Sequence, residues 1–120
     1  MKPKKLIRDK VPQKILEREY ETIEDKAELN RLYALKVKEE LAEIQHANHK
    51  DIMEFADLID VAYSFAEQNG FSREEMDLAR LEKYEKKGTF SNIALNNLNP
   101  QNPSNMIYFM DSYNYKPTQL

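Results

Sequence analysis

The sequence contains no cysteine and only two glycines among its 120 residues. Without cysteine, the chain can form no disulfide, no zinc–thiolate site and no thiol nucleophile. Scarce glycine, together with a charged fraction of 32%, favours helix throughout. No apolar run approaches the roughly 18 residues that a membrane-spanning helix needs. The first residues are basic but lack the apolar core of a signal peptide. We therefore expect a soluble, cytoplasmic protein with no membrane partner.

The chain also lacks a strong excess of either charge. Its formal net charge is −3, and its sequence pI is about 5.5. A protein that binds a nucleic-acid polymer usually carries a basic field over one surface. The charge balance therefore argues against DNA or RNA as a general partner. A mass of 14.2 kDa corresponds to one domain with a modest core.

Apolar residues recur at helical spacing along most of the chain, which predicts an all-α fold. Capping boxes at Asp25–Glu28 and Ser72–Glu75 indicate where two of the helices begin. Residues 96–115 are rich in Asn, Pro and Tyr and show no helical period, so we predict an irregular tail. That tail is either mobile or docked on a neighbouring subunit. The predicted helices cover about residues 12–20, 51–68 and 73–87, and a further helix opens at Asp25 and carries its apolar stripe over residues 29–44.

Two acidic clusters, Glu39-Glu40-x-x-Glu43 and Glu54-x-x-Asp57, are the most informative feature of the sequence. Residues three apart share a helix face, so the acids of each cluster point the same way. The short polar stretch between the clusters allows a tight turn between antiparallel helices. Four or five carboxylates would then meet in a partly buried space, where they repel one another unless protons or a cation neutralise them. Oxygen-only ligands select Mg²⁺ or Mn²⁺.

Simpler interpretations apply to other charged residues. Lys36 and Lys38 belong to a charge run that is typical of a solvated helix face. Glu43-x-x-His46 suggests a di-iron bundle, but the second cluster has no histidine at the required spacing. His46 and His49 are therefore expected to be exposed. Asp60 either joins the acidic site or makes a separate polar contact.

Three ordered motifs resemble the all-α nucleoside triphosphate pyrophosphohydrolases, the MazG-like group, in the branch that opens with a KLxRDKxP signature. These motifs are KLIRDKVP at residues 5–12, the two acidic clusters, and KGTF at residues 87–90. The resemblance covers residues 5–95. Thr89 departs from the pattern by replacing the second glycine of the closing motif, and the tail has no counterpart. The expected organisation is a pyrophosphohydrolase domain over residues 1–95 followed by the tail at 96–120.

The resemblance implies a homodimer or homotetramer with a four-helix bundle around each site. It further implies Mg²⁺-dependent cleavage of a nucleoside triphosphate to a monophosphate and pyrophosphate, in the upkeep of nucleotide pools. Glu39 would orient or deprotonate the attacking water. The implied metal ligands are Glu40, Glu43, Glu54 and Asp57, and the implied phosphate-binding residues are Arg8, Lys10, Lys83 and Lys87.

Two other functions remain open from the sequence. The same chemistry could act on phosphoribosyl-ATP. Alternatively, the chain could be a non-catalytic helical adaptor that binds a nucleotide, or whose acids bind Mg²⁺ only structurally. Release of pyrophosphate separates an enzyme from an adaptor, and a panel of substrates separates the two enzymes.

Overall fold

The computed structural model describes residues 3–11, 22–91 and 94–111. Every regular element within these ranges is helical, and none is a strand. The all-α prediction is confirmed for this part of the chain. The helix predicted over residues 12–20 lies outside the described residues. The described chain forms two compact units, Met1–Lys86 and Lys87–Leu120. The predicted domain boundary after residue 95 stays a prediction.

Helix α1 spans Lys26–His46 and carries the first acidic cluster in its second half. Its start agrees with the sequence, but the predicted capping box is wrong. The side chain of Asp25 makes no capping hydrogen bond. Glu28 instead accepts hydrogen bonds from Arg31, three residues along the same helix, at 2.5 and 3.0 Å. A cation one turn away offers this carboxylate a stronger charge-assisted partner than a backbone N–H.

Helix α2 spans Ile52–Gln68 and runs antiparallel to α1. The side chain of Asp51 caps it by accepting a hydrogen bond from the backbone N–H of Met53 at 2.9 Å. The helices meet at a stack of Tyr33 on Phe65, with ring centroids 5.2 Å apart. Near the end of α2, Asn69 donates a 2.8 Å hydrogen bond to the side chain of Asn30. Early residues of α1 thus contact late residues of α2, which fixes the antiparallel register.

The turn between α1 and α2 uses a left-handed backbone at two consecutive residues. Asn48 and His49 have φ values of 57° and 61°. This conformation is uncommon for residues other than glycine. It lets the backbone N–H of His49 reach the carbonyl of Ile44 at 3.0 Å, which satisfies a carbonyl at the helix end. The turn is tight enough to bring the two acidic clusters side by side.

Helix α3 spans Arg73–Lys87 and begins with the predicted capping box, which is confirmed. The backbone N–H of Ser72 donates to Glu75 at 3.0 Å, and the N–H of Glu75 donates to the Ser72 hydroxyl at 3.1 Å. Tyr63 connects α2 to α3 by donating a hydrogen bond to Asp77. The guanidinium of Arg73 lies 4.2 Å from the centroid of the Tyr63 ring.

The segment predicted as an irregular tail, residues 96–120, contains two short helical elements in its described part. A short 3₁₀ turn, Pro103–Asn105, leads into a six-residue helix α4, Met106–Asp111. The side chain of Asn102 caps the turn by accepting a hydrogen bond from the N–H of Ser104 at 3.0 Å. The prediction missed this element because a helix of fewer than two turns cannot display a period. No helix in the described part of the chain is long and apolar enough to cross a membrane.

Candidate metal centre

The two acidic clusters come together across the α1–α2 pair. Each cluster contributes two carboxylates from one helix face, and one oxygen of each of the four lies within 4.8 Å of the others. Glu43 contacts Glu54 across the two helices, and the charge of Asp57 acts on Glu40. This group contains all four of the acids implied as metal ligands. Its arrangement suits a single small cation that binds through oxygen.

Burial makes the four ionised carboxylates energetically unfavourable when no cation is bound. Glu40 is only 4% exposed. One oxygen of Glu40 and one of Glu54, Oε2 in both residues, are buried and have no hydrogen-bond partner among the described residues. A buried carboxylate oxygen without a partner loses its hydration and gains nothing in return. The chemistry of these orphaned atoms fits a hard divalent cation.

The pKa values of two of the acids respond to this crowding. Burial raises the pKa of Glu40, and the neighbouring charge of Glu43 raises it further, against an opposing effect of Lys36. A hydrogen-bonding contact with Glu43 raises the pKa of Glu54, with lost hydration and the charges of Glu43 and Asp51 adding to it. Both shifts have the same physical source, because negative charge accumulates where water is partly excluded.

Glu39 has the opposite environment although it is the next residue to Glu40. Its two oxygens pair with different lysines, Oε1 with Lys5 at 2.8 Å and Oε2 with Lys36 at 3.1 Å. Partial burial raises the pKa of Glu39, but the hydrogen bonds from Lys5 and Lys36 outweigh it and leave the pKa lowered. Glu39 is therefore held as an anion beside the four-carboxylate group rather than inside it.

Among the described residues, three cations pair with acids of this region, and the sequence analysis identified only one of them. Arg8, in the N-terminal segment, binds both Asp57 and Asp60, the latter at 3.0 Å. Lys5 was not singled out, although it lies in the same motif. Lys36 was interpreted as part of a solvated face, and this is wrong. Its side chain is 16% exposed and binds Glu39 and Glu40. The sequence left open whether Asp60 joins the acidic site or makes a separate polar contact. In the structure, Asp60 pairs with Arg8.

A cleft of about 540 Å³ lies over these charges. This volume is within the range of small-molecule sites in proteins. The N-terminal segment forms one wall, and a turn closed by a 3.0 Å hydrogen bond from the N–H of Val11 to the carbonyl of Arg8 shapes it. The cleft combines charged groups with apolar ones, and the apolar side is lined by Leu6, Ile7, Val11, Tyr33 and Val61.

The four basic residues implied as phosphate ligands occupy different places. Arg8 lines the cleft, whereas Lys10 and Lys83 are exposed and lie outside its lining. Lys87 ends α3 and belongs to the second compact unit. Their role in binding phosphate stays a prediction. His46 and His49 are exposed, as predicted, and neither belongs to the four-carboxylate group.

Comparison with known proteins does not assign the chain to a family. No family model, no curated protein and no solved structure matches it. The function must therefore be argued from the chemistry of the cleft.

Proposed function

We propose that the protein is a Mg²⁺-dependent nucleoside triphosphate pyrophosphohydrolase, with Mn²⁺ as a possible substitute. The observation that carries this proposal is the group of four carboxylates with two buried oxygens that lack a partner, beside a cleft whose lining includes the cations Lys5, Arg8 and Lys36. The resemblance of the three sequence motifs supports the reaction class. The substrate would be a nucleoside triphosphate, and the products a monophosphate and pyrophosphate.

Glu40, Glu43, Glu54 and Asp57 would hold the metal ion through one oxygen each. When bound, Mg²⁺ supplies charge neutralisation at phosphate oxygens and lowers the pKa of a coordinated water. The donor set contains only carboxylate oxygen, which suits Mg²⁺ and Mn²⁺ better than zinc or copper. This explains how a site rich in acids can attract an anionic substrate, because a bound cation reverses the local sign of charge.

Other residues of the cleft would position the attacking water and the substrate. Glu39 stays ionised beside the metal ligands and can orient a water molecule by accepting its hydrogen bond. Because two lysines hold its charge, Glu39 is better suited to orienting this water than to removing its proton. Arg8 donates one hydrogen bond to Asp57 and one to Asp60 through its two terminal nitrogens. The same planar fork can bind two oxygens of a phosphate. The apolar wall formed by Tyr33 and its neighbours offers a surface for a base or sugar.

The proposed enzyme would act as a homodimer or homotetramer. Ile52, Phe55 and Ile59 form one stripe on α2 and are exposed by 79%, 42% and 55% of their surface. The described residues leave these side chains partly or largely exposed. An apolar helix face of this kind normally packs against another protein surface. The four-helix bundle that the family resemblance implies needs a second α1–α2 pair, and we propose that this pair packs against the stripe.

A panel of NTPs, dNTPs and phosphoribosyl-ATP tests the reaction. We expect Mg²⁺-dependent release of pyrophosphate from at least one compound, with the matching monophosphate as the other product. If phosphoribosyl-ATP is the preferred substrate, the identity of the substrate changes but the cleavage between the α and β phosphates stands. Orthophosphate as the first product would contradict cleavage between the α and β phosphates. No turnover of any compound would favour a non-catalytic adaptor.

Two variants link the activity in that panel to the carboxylates. Asp57→Asn replaces an implied ligand, and Glu85→Gln makes the same chemical change at an exposed acid on α3. We expect the first to abolish pyrophosphate release and the second to leave it unchanged. Equal activities in the two variants would show that a contaminating enzyme or another site is responsible.

A further inference from the structure

Lys36 is the one lysine of α1 whose charged group turns into the cleft. It precedes Glu39 by three residues and Glu40 by four, the two spacings at which helical side chains meet. Its Nζ lies 3.1 Å from Oε2 of Glu39 and 3.4 Å from Oε1 of Glu40. The nearby Lys38 is exposed and lies outside the cleft lining.

The contacts of Lys36 separate the tasks of two adjacent glutamates. On Glu40, the ammonium occupies Oε1, and the buried Oε2 is left without a partner among the described residues. Oε2 is thus the oxygen that remains for a cation. On Glu39, the ammonium takes Oε2 while Lys5 takes Oε1. These two contacts hold the carboxylate of Glu39 away from the four-carboxylate group.

We propose that Lys36 is a positioning residue that orients Glu40 as a metal ligand and keeps Glu39 out of the ligand set. This inference rests on the proposed function, because it assumes that Glu40 binds a cation. Lys36 acts through the two glutamates and does not itself touch the reacting atoms.

The position of Lys36 also has an electrostatic cost. Its ammonium lies beside a ligand of the metal ion, and like charges repel at this range in a partly buried site. Removing the ammonium would relieve that repulsion. It would also leave the carboxylate of Glu39 free to attract the metal ion. Lys36 therefore weakens metal binding while it improves the geometry for catalysis. A residue that only stabilised the fold would not have these opposite effects, because loosening the site weakens both.

The test measures metal binding and turnover in Lys36→Met, which keeps much of the side-chain volume but removes the charge. We expect the affinity of the substrate-free protein for Mn²⁺, followed by electron paramagnetic resonance, to rise by at least about threefold. We expect kcat to fall by at least about tenfold, because Glu39 and Glu40 lose their fixed orientation.

Two further variants serve as controls. Lys36→Arg keeps the charge and the hydrogen bonds, so it should restore both values to near those of the parent. Lys38→Met removes an exposed lysine of the same helix and should change neither value. If Lys36→Met does not fold, Lys36→Gln removes the charge but keeps a hydrogen-bond donor, and the same shift in Mn²⁺ affinity is expected.

Failure of the proposed function and failure of the proposed role of Lys36 give different results. If the parent hydrolyses no nucleotide, the proposed function is wrong, and the Mn²⁺ measurement alone decides the role of Lys36. Unchanged Mn²⁺ binding in the charge-removing variant overturns the proposal, because the ammonium then has no influence on the ligand set. Weaker Mn²⁺ binding overturns it as well, because Lys36 then only stabilises the fold around the site. Tighter binding with full turnover would also overturn it, since Glu39 and Glu40 would then need no positioning.

Discussion

At the scale of single residues, neighbouring glutamates have opposite electrostatic environments. Glu39 is stabilised as an anion by two lysines, whereas the adjacent Glu40 is buried against other acids. Both are the same residue type on the same helix, so the difference comes only from which face each occupies. The pKa of one is lowered and that of the other is raised. Catalytic and binding sites often separate the pKa values of paired acids in this way.

The amide variant Glu54→Gln should separate stability from activity. It removes one negative charge from the crowded group at nearly constant shape. We expect its melting temperature without metal to equal or exceed that of the parent, because repulsion is relieved. Pyrophosphate release should fall by about 100-fold, the scale seen when one electrostatic group is removed from a transition-state site.

Addition of Mg²⁺ provides the complementary measurement on the same variant. Mg²⁺ should raise the melting temperature of the parent, because a ligand that binds only the folded state stabilises it. This increase should shrink in Glu54→Gln and persist in Glu85→Gln. A parent-like response to Mg²⁺ with full activity in Glu54→Gln would show that Glu54 is not a ligand.

The raised pKa values of Glu40 and Glu54 predict a pH dependence of stability in metal-free protein. A carboxyl whose pKa is higher in the folded than in the unfolded state binds its proton more tightly when folded. The contribution of such a carboxyl to stability is complete below the ordinary value of 4.5 and is lost as pH rises through the raised folded value.

We therefore expect Glu54→Gln to gain stability relative to the parent as pH rises above about 4.5. Urea unfolding in EDTA at pH 4 to 8 measures this difference directly. The lowered pKa of Glu39 acts in the opposite direction in both proteins, so it cancels when they are compared. A difference that stays constant across this range would contradict the raised pKa of Glu54.

At the scale of helices, the α1–α2 turn determines which acids meet. Its two left-handed residues, Asn48 and His49, close the hairpin so that Glu43 opposes Glu54. A different turn length would rotate one helix relative to the other and move an acidic face away from its partner. The strained backbone of this turn thus contributes directly to the geometry of the site.

The variant His49→Gly should stabilise the protein. Glycine adopts a φ of 61° without the steric cost that histidine pays there. Part of this gain is offset because glycine also makes the unfolded chain more flexible. We expect a net increase in unfolding free energy of about 0.5 kcal/mol, measured by urea denaturation.

Gly70→Ala makes the opposite change at the end of α2. Gly70 has a φ of 93°, and an added Cβ there would meet no atom within 4 Å. Its expected loss of stability, about 1 kcal/mol, therefore reports backbone strain alone. If His49→Gly were destabilising, the side chain of His49 would contribute more than its exposure suggests.

At the scale of the whole molecule, the described residues bury few apolar side chains. Leu32 and Ile44 are the only buried apolar residues among them, with 7% and 3% of their surface exposed. A chain of 14.2 kDa usually buries more than this when it is stable alone. We expect further apolar burial at the exposed stripe on α2, in contact with a second copy of the chain.

We expect light scattering to give a mass of at least twice 14.2 kDa at micromolar concentration. Ile59→Lys should reduce the mass to that of one chain, because burying an unpaired charge at an interface is costly. Glu74→Lys, an exposed change on α3, should leave the assembly intact. A parent that is monomeric and fully active would contradict the four-helix bundle.

The sequence by itself determined the helical class, the bounds of the three long helices and the identity of the four clustered acids. These features depend on local properties, since apolar spacing, capping residues and glycine positions act within one or two turns of the chain. The spacing of Glu40 to Glu43 and of Glu54 to Asp57 is likewise a property of one helix each. The short helix α4 escaped prediction because it is too brief to show a period.

Only the tertiary structure decided which cations the clustered acids and their neighbours contact. Arg8 is separated by about fifty residues from the aspartates that it binds, and no local pattern records that contact. Lys36 and Lys38 look alike in sequence, yet one is held in the cleft by two glutamates and the other is in solvent. Long-range electrostatic pairing depends on how α1, α2 and the N-terminal segment pack, which fixes the distances over which charges act.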